Sequence, residues 1–357
     1  MDFGRFSTAG TVFDPRNNSL NALRLALAVT VVVSHTWPLG GYGPDPRLGD
    51  RTLGSIAVAG FFAISGYLIT MSRMSGRSTA SFYRARVLRI YPGFLAAMVM
   101  VAAFFGPLYS TTTDSGPYDL SSAVAYVVRN SLLYIRQWGI DGTLETAPYP
   151  VTWNGSAWTL FFEFVCYVAI GVAVSMVPER ALPAAVGVGG LVACVISGLA
   201  VHTGMSIQPD LVFLCSVSSF FAAGSLLFLY RDRCRLHPVG AFISALVCVA
   251  SAAVGLFGVL APVPLAYLVM YLGAALPLRR LGRTHDLSYG IYIYAFPVQQ
   301  MVTTLGRGMP LLAHFAISLA VTTVFAVGSW FLVERPSLRL GSPGRARWRT
   351  PAPAEAR

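Results

Sequence analysis

The sequence has few charged residues, and it contains no lysine. Charged residues make up 11% of its 357 positions, whereas a soluble domain has about 25%. Hydrophobic residues make up 55%, and the mean hydropathy is +0.62. This composition excludes a long soluble protein and predicts an all-α integral membrane protein.

The sequence also lacks patterns typical of metal, disulfide and nucleic-acid-binding proteins. Its cysteines have no metal-ligand spacing, so we interpret them as free, packed thiols. The net charge is +11, but no basic patch with interleaved aromatics is present, so nucleic acid is not an expected partner. Residues 1–18 have no apolar core, and the first apolar segment is expected to direct membrane insertion itself. The cysteines are Cys166, Cys194, Cys215, Cys234 and Cys248.

Apolar segments long enough to cross a bilayer recur along the chain, and the sequence predicts about ten transmembrane helices in one bundle. Twenty arginines fall on the side of the N-terminus and five on the other side. The positive-inside rule therefore predicts that both termini are cytoplasmic, in a multi-pass protein of a bacterial inner membrane. The predicted spans are Ser19–Trp37, Leu53–Met71, Val87–Pro107, Ser156–Val177, Leu182–Val201, Leu211–Tyr230, Val239–Phe257, Val259–Pro277, Leu287–Leu305 and Leu311–Val333.

Two stretches lie outside these spans. Residues 109–155 form a long outward loop rich in Tyr and Trp, within which Ser121–Ile135 is typical of an amphipathic surface helix. Its aromatic residues suit sugar rings, although an interfacial aromatic belt would give the same composition. Residues 1–336 would form one membrane domain, and the Arg- and Pro-rich residues 337–357 would form a disordered cytoplasmic tail.

The first span carries two ionisable residues, Arg24 and His35. Eleven steps of about 100° bring both side chains to one helix face, about 16 Å apart along the axis. An arginine inside a membrane helix costs at least about 2.5–3.5 kcal/mol, which favours a functional role for the pair. The alternatives are that Arg24 extends to the interface and that His35 makes only a structural hydrogen bond.

Arginines and a carboxylate mark two further places. Arg84, Arg86 and Arg89 lie at the predicted cytoplasmic mouth of the third span, where guanidinium groups could bind phosphate. They could also be ordinary positive-inside charges. Glu163 lies within the fourth span and needs a partner there, for which Arg24 and His35 are the candidates. A purely structural ion pair is the alternative.

The second and ninth spans carry residues with predicted structural roles. Gly66 is predicted to serve close helix packing, together with Ser65. Asp286 precedes the ninth span as a possible N-cap. Pro297, inside that span, is predicted to kink it.

These stretches together resemble acyltransferase family 3, the membrane O-acetyltransferase group. Arg24 and His35 resemble its Arg-x10-His motif, and Arg86 with Arg89 resembles its Arg-x-x-Arg. Trp158–Leu160 followed by Glu163 resembles its Trp-Ser/Thr-Leu-x-x-Glu segment. The further matching stretches are Ser288–Tyr292 and Glu334–Pro336. One departure is Ala295, where many members have histidine.

The resemblance implies an enzyme that moves an acyl group, normally acetyl, from cytoplasmic acyl-CoA to a hydroxyl of a cell-envelope or exported glycan. Acetyl-CoA would be a co-substrate, with no bound cofactor. His35 would act as general base or be transiently acylated, with Arg24 and Glu163 supporting it. A transporter and a non-catalytic scaffold are the alternatives. The expected acyl-CoA ligands are Arg84, Arg86 and Arg89, and the expected acceptor contacts are Trp153, Asn154, Trp158 and Tyr289.

Overall fold

The structure, a computed structural model, describes residues 13–14, 17–113, 116–204 and 206–341. These residues form a helical bundle with one small antiparallel hairpin, β1 (Arg47–Leu48) and β2 (Arg51–Thr52). Two π-helical turns, Val101–Phe105 and Trp330–Glu334, join α3 to α4 and α13 to α14. The helices are α1 Leu20–Gly40, α2 Leu53–Arg73, α3 Thr79–Met100, α4 Gly106–Thr112, α5 Leu120–Asn130, α6 Thr159–Met176, α7 Leu182–Thr203, α8 Pro209–Leu229, α9 Pro238–Ala253, α10 Phe257–Leu260, α11 Pro262–Ala275, α12 Ser288–Leu305, α13 Leu311–Ser329 and α14 Arg335–Leu340.

Within the described part of the chain, seven helical segments are long and apolar enough to cross a membrane. The shorter helices α9 and α11 are also apolar. The predicted class, an all-α multi-pass membrane protein, is therefore confirmed. The number ten and the cytoplasmic location of both termini stay predictions.

Helix α12 lies at the centre of the bundle. Sixteen of its 18 residues are buried, and it packs mainly against α1 and α13. Its polar side chains bond neighbouring backbones: Gln299 donates to the carbonyl of Val32 at 3.0 Å, and Gln300 donates to that of Tyr149 at 2.8 Å. The helix continues through Pro297. Because neighbouring helices bury α12, its polar side chains are sheltered from lipid.

Helices α2 and α8 approach each other through glycines. A Cβ on Gly66 would lie 2.0 Å from the carbonyl oxygen of Phe221, and one on Gly224 would lie 2.0 Å from that of Ala63. No side chain fits at either position. The predicted packing role of Gly66 is confirmed, and this contact fixes α2 beside the centre of the bundle.

The segment between α4 and α6 contains α5, which corresponds to the predicted surface helix. The Asp119 carboxylate caps α5 by accepting the backbone N–H of Ser122 at 3.0 Å. This bond and the Ser121 hydroxyl lower the pKa of Asp119. Trp153 anchors the following loop as a fully buried side chain. The segment is thus held by its own polar contacts and one aromatic anchor.

Helix α14 continues into the region predicted as a disordered tail. It runs from Arg335 to Leu340, after the Trp330–Glu334 turn. Residues 342–357 of the predicted tail lie outside the described residues. That the tail is disordered stays a prediction.

Candidate functional site

Arg24 and His35 line two neighbouring cavities inside the bundle. The His35 cavity has a volume of about 270 Å³, and the Arg24 cavity has a volume of about 40 Å³. Val58, Thr159 and Tyr292 line both of them. The Thr159 and Tyr292 hydroxyls are hydrogen-bonded at 2.6 Å. This bond lies at the constriction between the two cavities.

His35 lines its cavity, and one of its ring nitrogens makes no hydrogen bond among the described residues. Its Nδ1 is buried and has no hydrogen-bond partner among the described residues. The ring of Phe296 packs edge-on against the imidazole, with centroids 5.3 Å apart. Asp45 lines the same cavity, and its Oδ1 accepts a hydrogen bond from the Ser34 hydroxyl at 2.7 Å. The cavity therefore combines an imidazole, which can accept a proton, with a fixed carboxylate.

The β1–β2 hairpin brings a second charged residue, Arg51, to the His35 cavity. The hairpin docks on the end of α9, where the Asp50 amide donates to the Ala252 carbonyl at 3.2 Å. Gly49 has a φ of +58°, and a Cβ there would lie 1.9 Å from the same oxygen. Only glycine allows this approach. The turn thus determines where Arg51 lies.

Arg24 belongs to a buried ion-pair cluster of two arginines and two carboxylates. Asp286 Oδ2 lies 2.7 Å from Arg24 Nη1 and 2.6 Å from Arg89 Nη2. Glu334 Oε2 lies 3.8 Å from Arg89 Nη1. We call these four residues the Asp286 cluster. Its members come from α1, α3, the loop before α12 and the turn after α13, so it joins four parts of the bundle.

The two arginines decide the charge state of Asp286, which lies in the loop outside the spanning helices. Burial alone would raise the pKa of this carboxyl. Arg24 and Arg89 outweigh burial and hold the pKa of Asp286 well below its ordinary range. Asp286 also accepts the hydroxyl of Ser288 at 2.6 Å. The carboxylate is therefore ionised at neutral pH, and its Oδ1 also accepts the backbone N–H of Ser288 at the start of α12, at 3.3 Å.

The expected pairing of Glu163 with Arg24 or His35 is wrong. Glu163 Oε1 instead accepts hydrogen bonds from the Ser65 hydroxyl, at 2.8 Å, and from the Tyr167 hydroxyl. The partner that Arg24 takes is Asp286. Neutral hydroxyl donors satisfy Glu163, and it still lines the Arg24 cavity. Ser65 thus holds this carboxylate in addition to its place in α2.

The three arginines of α3 lie in different surroundings. Arg84 is exposed, whereas Arg86 is half-buried with its Nε unpartnered. Neither makes an ion pair among the described residues. The Arg86 guanidinium lies over the Phe82 ring, 5.9 Å from its centroid. Arg89 is engaged in the Asp286 cluster. Of the three arginines, Arg89 is thus the one that shares a carboxylate with Arg24.

Of the four expected acceptor contacts, two line the cavities. Trp158 lines the His35 cavity, and Tyr289 lines the Arg24 cavity. Trp153 and Asn154 line neither cavity. Trp153 donates its Nε1–H to the Thr143 hydroxyl at 2.9 Å, and Asn154 donates to the carbonyl of Ile293 at 2.8 Å.

Sequence reasoning missed several residues of the site. Asp45 and Arg51 belong to a short loop and a hairpin in which charged residues are ordinary, so no local signal distinguishes them. Asp286 was expected only to cap a helix, and Glu334 only as part of a closing motif. An intramembrane arginine must have a partner. A search for carboxylates without an assigned role at the ends of the spans would have included both Asp286 and Glu334.

The described helices form a multi-pass bundle that encloses an imidazole cavity next to a charged cluster. A family model described as an acyltransferase domain matches residues 17–331. The chain therefore belongs to this acyltransferase family and is an acyltransferase.

Named relatives agree with this membership. The chain is 30% identical to an O-acetyl transferase of Shigella phage Sf6, over 92% of this chain and 98% of the relative. It is 29% identical to nodulation protein 10 of Rhizobium leguminosarum bv. viciae, over 90% of this chain and 94% of the relative. A shorter match, at 28% identity over 50% of this chain and 45% of the relative, is to acyltransferase MdmB of Streptomyces mycarofaciens. No solved structure matches the chain.

Proposed function

We propose that this protein transfers an acyl group, normally acetyl, from cytoplasmic acyl-CoA to a hydroxyl of a cell-envelope or exported glycan, in a bacterial inner membrane. The observation that carries the proposal is the junction of the two cavities at Thr159 and Tyr292. It joins His35 and Arg24, about 16 Å apart along α1. The Shigella phage Sf6 relative, named an O-acetyl transferase, supports acetyl as the group transferred.

The donor would enter at the α3 arginines. Arg84 and Arg86, which have no ion pair among the described residues, would contact the CoA phosphates first. Arg89 lies one turn deeper, about 4.5 Å along the helix from Arg86. The pantetheine arm would then run past Arg24 and Glu163 toward the constriction. The arrangement would give the anionic part of the donor a cationic entrance.

His35 would perform the proton transfer. Its imidazole would remove the proton from the acceptor hydroxyl, and the resulting oxygen would attack the thioester carbonyl. The new C–O bond forms, the C–S bond breaks, and the CoA sulfur takes the proton back from His35. Transient acylation of His35 before transfer is the rival order of events. Arg24 would hold the donor below the constriction, and Glu163 would keep Ser65 and Tyr167 oriented at the wall.

The acceptor would bind in the His35 cavity. Trp158 lies on its wall and packs against Phe213 with the ring centroids 4.2 Å apart and the ring planes tilted by 40°. An aromatic face of this kind suits a sugar ring. Tyr289 would contact the donor side, since it lines the Arg24 cavity. Trp153 and Asn154 would act on the acceptor only indirectly, by holding the loop before α6.

The experiment uses purified protein with labelled acetyl-CoA, with and without an envelope-glycan extract. Wild type should release CoA and label a glycan only when the extract is present. His35→Gln should lose at least about 100-fold in rate, the usual contribution of a general base. His237→Asn is the matched control, since His237 lines neither cavity and asparagine can still cap α9. Undiminished transfer by His35→Gln would remove His35 from the mechanism.

A further inference from the structure

A third cavity, the side cavity, adjoins the His35 cavity. Its volume is about 360 Å³, within the range of about 300–1,000 Å³ typical of ligand pockets. Arg51, Phe213 and Ser216 line both the side cavity and the His35 cavity. A ligand that fills the His35 cavity therefore meets the side cavity across only these side chains.

The wall of the side cavity is mainly apolar, and part of it lies on the exposed outside of the bundle. Only 17% of the most apolar window of α7 is buried, the lowest share among the seven spans. Val201 lies near the end of this helix, lines the cavity and is 53% exposed. An opening at such a surface admits an apolar chain from the bilayer more readily than a sugar from water. The apolar lining residues are Ala200, Val201, Ile207, Pro209, Val212, Phe213 and Val259.

Arg51 stands at the junction with unused hydrogen-bond donors. Its Nε lies 3.0 Å from Asp50 Oδ2 as an ion pair without a hydrogen bond, and its two Nη groups also make no hydrogen bond among the described residues. A Cβ on Gly258 would lie 2.8 Å from Arg51 Nη2, so this glycine leaves the guanidinium its space. Asp45, a carboxylate that lines the His35 cavity, accepts a hydrogen bond from the Ser34 hydroxyl. The free Nη donors therefore suit an anionic oxygen of a ligand.

We propose that the side cavity binds the apolar chain of an amphiphilic acceptor, and that Arg51 binds an anionic group, a phosphate or a carboxylate, between this chain and the reacting hydroxyl. The acceptor would reach His35 sideways from the membrane with its chain still in lipid. The assignment of the occupant as acceptor rests on the proposed function. The binding of an anionic amphiphile does not, and it can be measured without donor.

The test measures binding of three probes by native mass spectrometry, in a sterol-based neutral detergent so that no alkyl chain competes. Dodecyl phosphate carries both chain and anion, dodecanol lacks the anion, and inorganic phosphate lacks the chain. Arg51→Gln removes the guanidinium, and Arg47→Gln removes an exposed one from the same hairpin as its control. Ala200→Phe fills the side cavity, and Leu199→Phe adds bulk at the neighbouring position, which does not line it.

Wild type and both controls should bind dodecyl phosphate at least tenfold more tightly than either other probe. Arg51→Gln should lose this tenfold preference and keep dodecanol binding, whereas Ala200→Phe should lose both. Arg51→Lys, which keeps the charge, should retain part of the preference and serves if Arg51→Gln fails to fold. Equal dodecyl phosphate binding by wild type and Arg51→Gln, or unchanged binding by Ala200→Phe, overturns the proposal. Failure of acyl transfer by itself leaves this outcome unaffected.

Discussion

Replacing Asp286 with asparagine removes the charge that two arginines share. Asp286 Oδ2 lies 2.7 Å from Arg24 Nη1 and 2.6 Å from Arg89 Nη2, and the three side chains are only 15–22% exposed. Removing one partner of a buried pair costs about 3–5 kcal/mol, because the other charge stays buried without compensation. The asparagine oxygen can still accept one hydrogen bond, so we expect a loss of about 3 kcal/mol, at the lower end of this range.

The assay is unfolding in detergent, followed by tryptophan fluorescence. The matched control is Asp232→Asn, which removes the same charge from a pair with Arg231 that is 3.6 Å long and 73% exposed on the aspartate side. This change should cost less than about 1 kcal/mol. The double variant Arg24→Gln with Asp286→Asn should be less destabilised than the two single variants added together, by about 0.5–3 kcal/mol. Equal stability of Asp286→Asn and Asp232→Asn would refute the idea that this carboxylate holds the cluster.

The same carboxylate predicts an acid limit to stability. Arg24 and Arg89 lower the pKa of Asp286 in the folded protein despite burial. Its stabilising contribution is therefore present above its unfolded pKa of about 3.9, and it is lost as the pH falls through that value toward the lower folded pKa. Between pH 5 and acid conditions, Asp286→Asn should lose less stability than wild type. Parallel pH curves for the two proteins would contradict this linkage.

Two further predictions follow from glycine packing and from the α3 arginines. Gly66→Ala should lower the unfolding temperature strongly, because the new Cβ would lie 2.0 Å from the backbone of Phe221. The control Gly189→Ala adds a Cβ in open space and should change the unfolding temperature little. Equal unfolding temperatures of the two variants would contradict the close approach of the helices. Arg86→Ala should raise the KM for acetyl-CoA without changing the unfolding temperature. Arg89→Ala should raise this KM and also lower the unfolding temperature. A wild-type KM for acetyl-CoA in Arg86→Ala would exclude Arg86 from the donor site.

Much of the architecture follows from local sequence. Each of the ten predicted spans overlaps most of one helix, because runs of apolar residues bounded by Pro, Gly and Arg define a helix locally. The third helix starts at Thr79, before the predicted Val87, since Ser78 caps it and its arginines lie along the helix. Apolarity predicts membrane burial of a segment, whereas capping chemistry determines where the helix begins.

The partners inside the site could not be predicted in this way. Arg24 and Asp286 are 262 positions apart, and nothing in either stretch specifies the other. Glu163 was given a charged partner because a buried carboxylate needs one in general. The hydroxyls of Ser65 and Tyr167 satisfy it instead, and a tyrosine inside an apolar helix gives no sign of this role. The spacing of Arg24 and His35 predicted that they share one helix face. Only the packing of the other helices places the two residues in separate cavities.

The distance in sequence between Arg24 and Asp286 has a consequence for how the protein is made. Helix α1 is synthesised before Asp286, so Arg24 enters the membrane region while its carboxylate partner is not yet translated. The polar helix α12 follows, and it relies on α1 for Gln299 to reach the Val32 carbonyl. Helix α1 thus supplies a hydrogen-bond acceptor for α12, and the loop before α12 supplies the carboxylate for Arg24 of α1. The ion pair between Arg24 and Asp286 can therefore form only after α12 is reached, and a chain that stops before Asp286 leaves Arg24 without this carboxylate.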